Sequence, residues 1–234
     1  KVGIIGNEVD LNFIGFGTMN GKDGKPFKTR EGGVMRLENL LADIDEEMYR
    51  KIVDNHEVEE AEARATAKIV ALAAVKYGDL SNQATKDYVF DIDKFTSFEG
   101  NTGPYILYTI VRIKSILNKY IEQKSGNVSA GDMSTISGAD VIGKAASDCE
   151  KALMLSLAQF NAVIEGAYEE TAPHKICAFI YELANTFNRF YHETKILAEE
   201  DEKQQASWIA LLNLTKKVLE TSIDLLGFAA PERM

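Results

Sequence analysis

The sequence predicts a mainly α-helical protein, a helical bundle entered through a short α/β stretch. Three observations predict it. Residues 104–121, 172–190 and 204–226 repeat apolar side chains at the i, i+3 and i+4 spacing of a buried helix face. Residues 61–75 are rich in alanine and aliphatics, as a buried helix is. The first twenty residues differ, with short β-leaning runs at 2–5 and 11–19 cut by glycines.

Taken in order, the chain divides into residues 1–40, 41–98 and 99–234. It starts on Lys1 rather than methionine, inside apolar strand-like text, and so reads as a piece of something longer. Residues 20–33, NGKDGKPFKTREGG, hold four glycines, three lysines and an arginine. A glycine-hinged basic loop of this kind suits closure over phosphates, as does a solvated turn. Neither common phosphate loop fits it. The residues five before Gly21 and Gly24 are Phe16 and Met19, and the repeat begun by Gly15 and Gly17 meets Asn20. A helical region opens at 34–41, and residues 42–64 carry nine acids against three basic residues, an exposed acidic face. Residues 79–105 form a polar-aromatic connector, suited to a hinge.

Pro104 stands where a first helical residue belongs, after the loop Glu99-Gly100-Asn101-Thr102-Gly103. Ile106, Ile110, Ile113, Leu117 and Ile121 then fall on one face, the expected core stripe. Tyr105, Tyr108, Arg112, Ser115 and Lys119 form a second stripe of rings, a hydroxyl and cations. Unpaired bases stack on such edges at about 1–3 kcal/mol each, although an ordinary wet helix face carries the same residues.

Residues 125–138 are a Ser/Gly-rich connection, and 140–168 read as one or two helices with Leu153, Leu157, Phe160 and Ile164 inward. The next helix opens at Ala172-Pro173-His174 and buries Ile176, Phe179, Leu183, Phe187 and Phe190; His174 reads as structural or capping. Tyr181, Asn185, Asn188, Arg189 and Tyr191 on it face either RNA or the bundle edge. The last helix carries Ile209, Leu212, Val218, Leu219, Ile223 and Leu226 and stops at Gly227.

Composition excludes several classes. With 45% hydrophobic and 26% charged residues the chain is ordinary globular material, with no apolar run of membrane-spanning length and no signal peptide, hence cytoplasmic. Cys149 and Cys177 sit in separate apolar patterns and are expected as buried free thiols. Three histidines without metal spacing make a protein-bound metal unexpected. The net charge of −10 is uneven: the segment through Arg36 is at +2, so basic function is local.

FGTMNGKDGKPFKTREGGVMRLENLL, the run from Lys76 through GNTGPYILYTIVRIKSIL, and the closing LLGFAAPERM resemble the C-terminal half of arginyl-tRNA synthetases, of class I. The resemblance spans nearly the whole chain. It implies that 1–40 is the end of a Rossmann-like catalytic domain, 41–98 a helical connector and 99–234 a helical-bundle anticodon-binding domain. Lys25-Pro26-Phe27-Lys28-Thr29 takes the place of the class I KMSKS signature. It implies catalytic roles for Lys25 and Lys28 on ATP phosphates, with Gly24, Thr29 and Arg30 in the same ATP site and Mg2+ accompanying ATP in the whole enzyme. Phe27 replaces the signature's serine, which leaves the duty of each lysine open. Tyr105, Tyr108 and Arg112 match the GNTGPYxxYxxxR element and are the implied contacts to the anticodon arm of tRNA-Arg, with Met234 of the PERM tail implied close to it; Asn101, Lys119, Tyr191 and Trp208 join them as candidate tRNA-binding residues. Trp208-Ile209 stands where the family commonly has Arg-Leu, so a ring replaces a cation there. Arginine and ATP are the implied substrates of the full-length enzyme, with no DNA or membrane partner and a monomeric state.

A class I synthetase also needs a HIGH-type motif and an arginine pocket, neither of which is in these residues, so the chain is not expected to act alone. Two other classes stay open. A non-catalytic tRNA-binding module predicts that Lys25 and Lys28 are dispensable, and a helical protein-interaction scaffold predicts no RNA affinity.

Overall fold

A computed structural model describes residues 6, 9, 12–26, 37–55, 59–124 and 141–234. Its helices are α1 (Leu37–Asn55), α2 (Glu60–Leu80), α3 (Ile92–Phe95), α4 (Gly103–Lys124), α5 (Asp148–Ala158), α6 (Phe160–Glu169), α7 (Pro173–Glu193) and α8 (Glu202–Leu225), with a 3-10 turn at Ile196–Ala198. Two short strands, β1 (Met19–Asn20) and β2 (Tyr88–Val89), pair in parallel, Met19 opposite Tyr88 and Asn20 opposite Val89. The mainly helical architecture with a small α/β entry is the one expected. The expected β run at 2–5 and the Ser/Gly-rich connection at 125–138 lie outside the described residues.

Helix α1 turns Leu40, Ile44, Met48 and Ile52 inward at four-residue intervals and packs along α2. The α2 face buries Ala63, Ala67, Ala71, Ala73 and Ala74, side chains short enough to let neighbouring backbones close in. One such close approach is to α4: a Cβ placed on Gly103 would lie 2.3 Å from the Ala73 carbonyl oxygen. That contact explains the glycine before Pro104. Thr102 caps the helix, its hydroxyl accepting from the Tyr105 N–H at 3.2 Å and donating to the Ser97 carbonyl at 2.6 Å. Gly78 serves a similar need one turn on, since its Cβ would meet the Phe95 ring at 2.5 Å.

From this crossing the core runs through Ile106, Ile110 and Ile113 of α4 into Ile180, Leu183 and Phe187 of α7 and Leu212, Leu219 and Ile223 of α8, all nearly or wholly excluded from solvent. Ile121, at the end of the expected stripe, is only half buried. Residues 148–169 form two helices broken at Gln159, with Leu153 and Leu157 in the core and Phe160 and Ile164 packed at its margin. Gly227 closes α8 at φ +80°, with the Phe228 N–H returning to the Ile223 carbonyl at 3.1 Å.

Cys149 and Cys177 are buried and unpaired, as expected. Burial pushes the Cys177 thiol up to about 12. The Tyr77 hydroxyl, inside the same core, lies 2.9 Å from the Cys177 carbonyl and 2.5 Å from Asn101 Oδ1. Its single proton serves one acceptor at a time, and turning the Asn101 amide so that Nδ2 donates satisfies all three groups.

Two outcomes test this packing. Gly103→Ala should cost about 3 kcal/mol and lower Tm by about 9 °C in a thermal melt, because backbone must move to admit the methyl. Gly166→Ala, facing open space within α6, should instead gain about 0.5–1 kcal/mol. With a thiol reagent at pH 8 the native protein should show neither cysteine, and denaturation should release both.

Candidate nucleic-acid interface

The outer side of α4 and the end of α7 form the best candidate, an open cleft of about 880 Å³. Tyr108, Arg112, Ser115 and Lys119 line it from α4, Tyr191 and His192 from α7, and Met234 from the tail. The helical period of α4 projects these four residues to one side while the isoleucines go inward. Tyr108 keeps 40% of its surface exposed and Tyr191 36%, so both rings offer area to a ligand.

Arg112 is the fixed centre of this surface. Its guanidinium lies 4.7 Å from the centroid of the Tyr108 ring and 5.7 Å from that of Tyr191. One of its nitrogens donates to Asn188 Oδ1 at 2.6 Å. Asn188 Nδ2 donates in turn to the Tyr105 hydroxyl at 2.9 Å, and that hydroxyl donates to Asn185 Oδ1 at 2.7 Å. Asn185, Tyr105, Asn188 and Arg112 thus form one polar chain across α4 and α7. It holds the guanidinium in place while leaving donors for an incoming anion. Burial raises the Tyr105 phenol above its ordinary value, so it stays a neutral hydroxyl.

The expected residues separate accordingly. Tyr108, Arg112, Lys119, Tyr191 and Met234 meet in the cleft. Tyr105 is half buried, edge-on to Tyr181 at 5.8 Å, and reaches a second cleft of about 530 Å³ with Phe98, Glu99 and Lys51. Its hydroxyl is committed to the bundle. Asn101 lines neither cleft, its side chain being engaged by Tyr77. Trp208 is the correction: it is only 9% exposed and edge-on to Phe190 at 6.1 Å, a core side chain whose ring face is unavailable for base stacking. The open choice at the bundle edge is resolved for Asn185 and Asn188, which are partners of α4, whereas exposed Arg189 pairs with Glu193 at 2.9 Å.

Of the phosphate-loop residues, Gly24 and Lys25 are described; Lys28, Thr29 and Arg30 lie outside the described residues. Residues 20–26 close a tight turn, with the Gly21 N–H donating to the Lys25 carbonyl at 2.9 Å and Gly24 at φ +72°. Lys25 is exposed at its tip. Lys22 is engaged, its ammonium 2.6 Å from Asp93 and 3.1 Å from Asp91, which ties the turn to the start of α3.

Sequence reasoning missed Lys114. It lies four residues after Ile110 and three before Leu117, inside the apolar stripe. A cation at a core position is itself a signal of a buried ion pair.

Comparisons with known proteins match both parts of the chain. A profile described as the DALR anticodon binding domain matches residues 106–234, and one described as the class I (R) tRNA synthetase catalytic domain matches residues 1–92. The chain belongs to the arginyl-tRNA synthetase family. Among its relatives, an arginine–tRNA ligase of Agathobacter rectalis is 66% identical over the whole chain, and one of Alkaliphilus oremlandii is 53% identical. The chain spans 39% and 38% of those two proteins, well under half the length of each. The Thermus thermophilus arginyl-tRNA synthetase structure superposes at a TM-score of 0.74 with 27% identity, covering 94% of this chain and 35% of that one. The Plasmodium falciparum arginyl-tRNA synthetase gives 0.73 with 27% identity, covering 86% and 34%. Family membership places the aromatic and cationic cleft in the anticodon-binding part. Among the described residues no helix is long and apolar enough to cross a membrane.

The two tyrosines of α4 should respond differently to loss of a hydroxyl. Tyr105→Phe strands Asn185 and loosens Asn188, costing about 1–2 kcal/mol in chemical denaturation. Tyr108→Phe should stay within about 0.5 kcal/mol of the parent, because its exposed hydroxyl is replaced by water contacts.

Proposed function

We propose that this chain supplies the ATP-phosphate turn and the anticodon-arm surface of an arginine–tRNA ligase. In that reaction ATP activates arginine as arginyl-adenylate with release of pyrophosphate, and the arginyl group passes to tRNA-Arg with release of AMP. The observation that carries the reading is the cleft itself: two exposed tyrosine rings around a fixed guanidinium, with Lys119 beside them, in a chain of this family. Tyr108 and Tyr191 present rings to unpaired anticodon bases, Arg112 and Lys119 meet the backbone phosphates, and Met234 adds an apolar wall. Tyr105 supports this surface from the bundle side, and exposed Asn101 is held beside it by Tyr77.

The exposed ammonium of Lys25 on a glycine-bent turn suits a polyphosphate, since the backbone approaches closely and the charge is unpartnered by the carboxylates that occupy Lys22. Lys25 and Lys28 neutralise charge as pyrophosphate leaves, with Gly24, Thr29 and Arg30 in the same ATP site. ATP brings Mg2+ with it, whose chemistry is to draw charge from the phosphates. Residues 1–40, 41–98 and 99–234 then act as catalytic-domain end, connector and anticodon-binding domain of a monomeric cytoplasmic enzyme. The match of residues 106–234 to the anticodon-binding profile supports the last of these.

Binding to a tRNA-Arg transcript, against the same tRNA with a substituted middle anticodon base, tests the interface. The native transcript should bind more tightly, and its affinity should fall about twentyfold between 50 and 200 mM salt if about three phosphate contacts are made. Tyr108→Ala should remove the preference. Absence of RNA binding with retained fold would favour a protein-interaction scaffold. Once the rest of the catalytic domain is supplied, Lys25→Met should slow arginyl-adenylate formation about a hundredfold, as loss of a charge-stabilising group does; an unchanged rate would favour a non-catalytic module.

A further inference from the structure

Among the described residues Lys114 is the one buried cation. It is 9% exposed, on the inward side of α4, and among its neighbours in sequence are Ile113 and Ile116. A buried ammonium requires partners. It has three: the Pro231 carbonyl at 3.2 Å, the Glu232 carboxylate at 2.8 Å and the Glu220 carboxylate at 3.4 Å. Two of these belong to the last four residues of the chain, a segment that makes no helix or strand.

Such a segment frays unless tied. Here it is tied again on either side: Lys76 donates to the Gly227 carbonyl at 2.6 Å, and Arg233 pairs with Glu62 of α2. Of these ties only the one at Lys114 has a buried member: its hydrogen bond to the Pro231 carbonyl lies inside the bundle, while the Glu232 carboxylate that joins it is largely exposed. The ion pair holds the Glu232 carboxyl below its ordinary value, so the tie is complete at neutral pH. What it fixes is specific. Met234 follows two residues later and lines both the larger cleft and the second one, sharing that position with Tyr108 and Arg112.

We propose that Lys114 is a positioning residue for RNA recognition: from inside the bundle it pins residues 231 and 232, and through them holds Met234 as the shared wall of the two clefts. It touches no RNA itself. This rests on the reading that the larger cleft takes the anticodon arm.

The test uses the 234-residue chain carrying methyl-13C methionine, in three forms: the parent, Lys114→Met, which keeps the apolar stem, and Glu232→Ala, which releases the tail from the exposed side without touching the core. In the parent the Met234 methyl should resonate away from its random-coil position, and tRNA-Arg should be preferred over the middle-base variant. In Lys114→Met the Met234 signal should collapse to random coil while those of Met48 and Met154 stay put, and the preference should fall about tenfold with residual salt-dependent binding retained. Glu232→Ala should shift both readouts in the same direction by less. Variants that keep a parent-like Met234 signal and a parent-like preference overturn the assignment of Lys114 alone. A free Met234 with full preference retained also overturns it. A parent that shows no preference overturns the proposed function and the recognition role of Lys114 together, and the methyl signals then still decide whether Lys114 holds the tail.

Discussion

The backbone of α4 begins against the backbone of α2, with Gly103 lying where a side chain would strike the Ala73 carbonyl. Everything on the outer side of α4 takes its position from that contact. A helix seated half an ångström further out would lose dispersion contact along its whole buried stripe, because the attraction falls off within that distance. It would also shift Arg112 relative to Asn188 and Met234. The alanine run of α2 and the glycine before Pro104 are therefore two halves of one feature, written thirty residues apart. Thr102 and the Ser97 carbonyl complete it by fixing the angle at which the chain enters the helix.

On the far side of the same helix a polar chain replaces apolar packing. Asn185, Tyr105, Asn188 and Arg112 bridge α4 and α7 with each hydrogen bond near its ideal length. Such a chain contributes modestly to stability when complete and costs more when one member is lost. Its value is directional. A guanidinium free in water would sample many rotamers, whereas one bonded to Asn188 and flanked by two tyrosine rings presents a single face. Preorganisation of this kind reduces the entropy lost when a charged, flexible ligand is bound.

Charge is distributed to the same end. The chain is acidic overall at −10, and acidic side chains of α1 and early α2 pair with nearby cations, as Glu46 does with Arg64 at 2.8 Å. Exposed pairs of this sort add little stability. Carboxylates take up Lys22, Arg64 and Arg189, whereas Arg112 and Lys119 line the cleft together with Lys195 and Arg233 and with the two carboxylates Glu122 and Glu232. A net acidic protein can then hold one cationic patch without binding polyanions everywhere.

The sequence by itself determined the helical class, the helix ends at Pro104, Pro173 and Gly227, and the core stripes of α4, α7 and α8, because hydrophobic period and capping chemistry are local properties of the chain. It also determined the α4 stripe that forms one wall of the cleft, since residues three and four apart on a helix share a side. The closing PERM motif pointed to Met234, while Tyr191 stood among the residues left open between RNA and the bundle edge. Tertiary structure alone decided the rest. Whether a tyrosine is a free ring or a bundle clasp depends on what stands opposite, and Tyr105 and Tyr108, three residues apart, differ for that reason. Trp208 was legible as aromatic but not as buried, because the Phe190 that covers it lies on another helix. Lys114 showed in the sequence only as a misplaced charge; its partners, 106 and 118 residues onward, exist only once α8 and the tail have folded against α4.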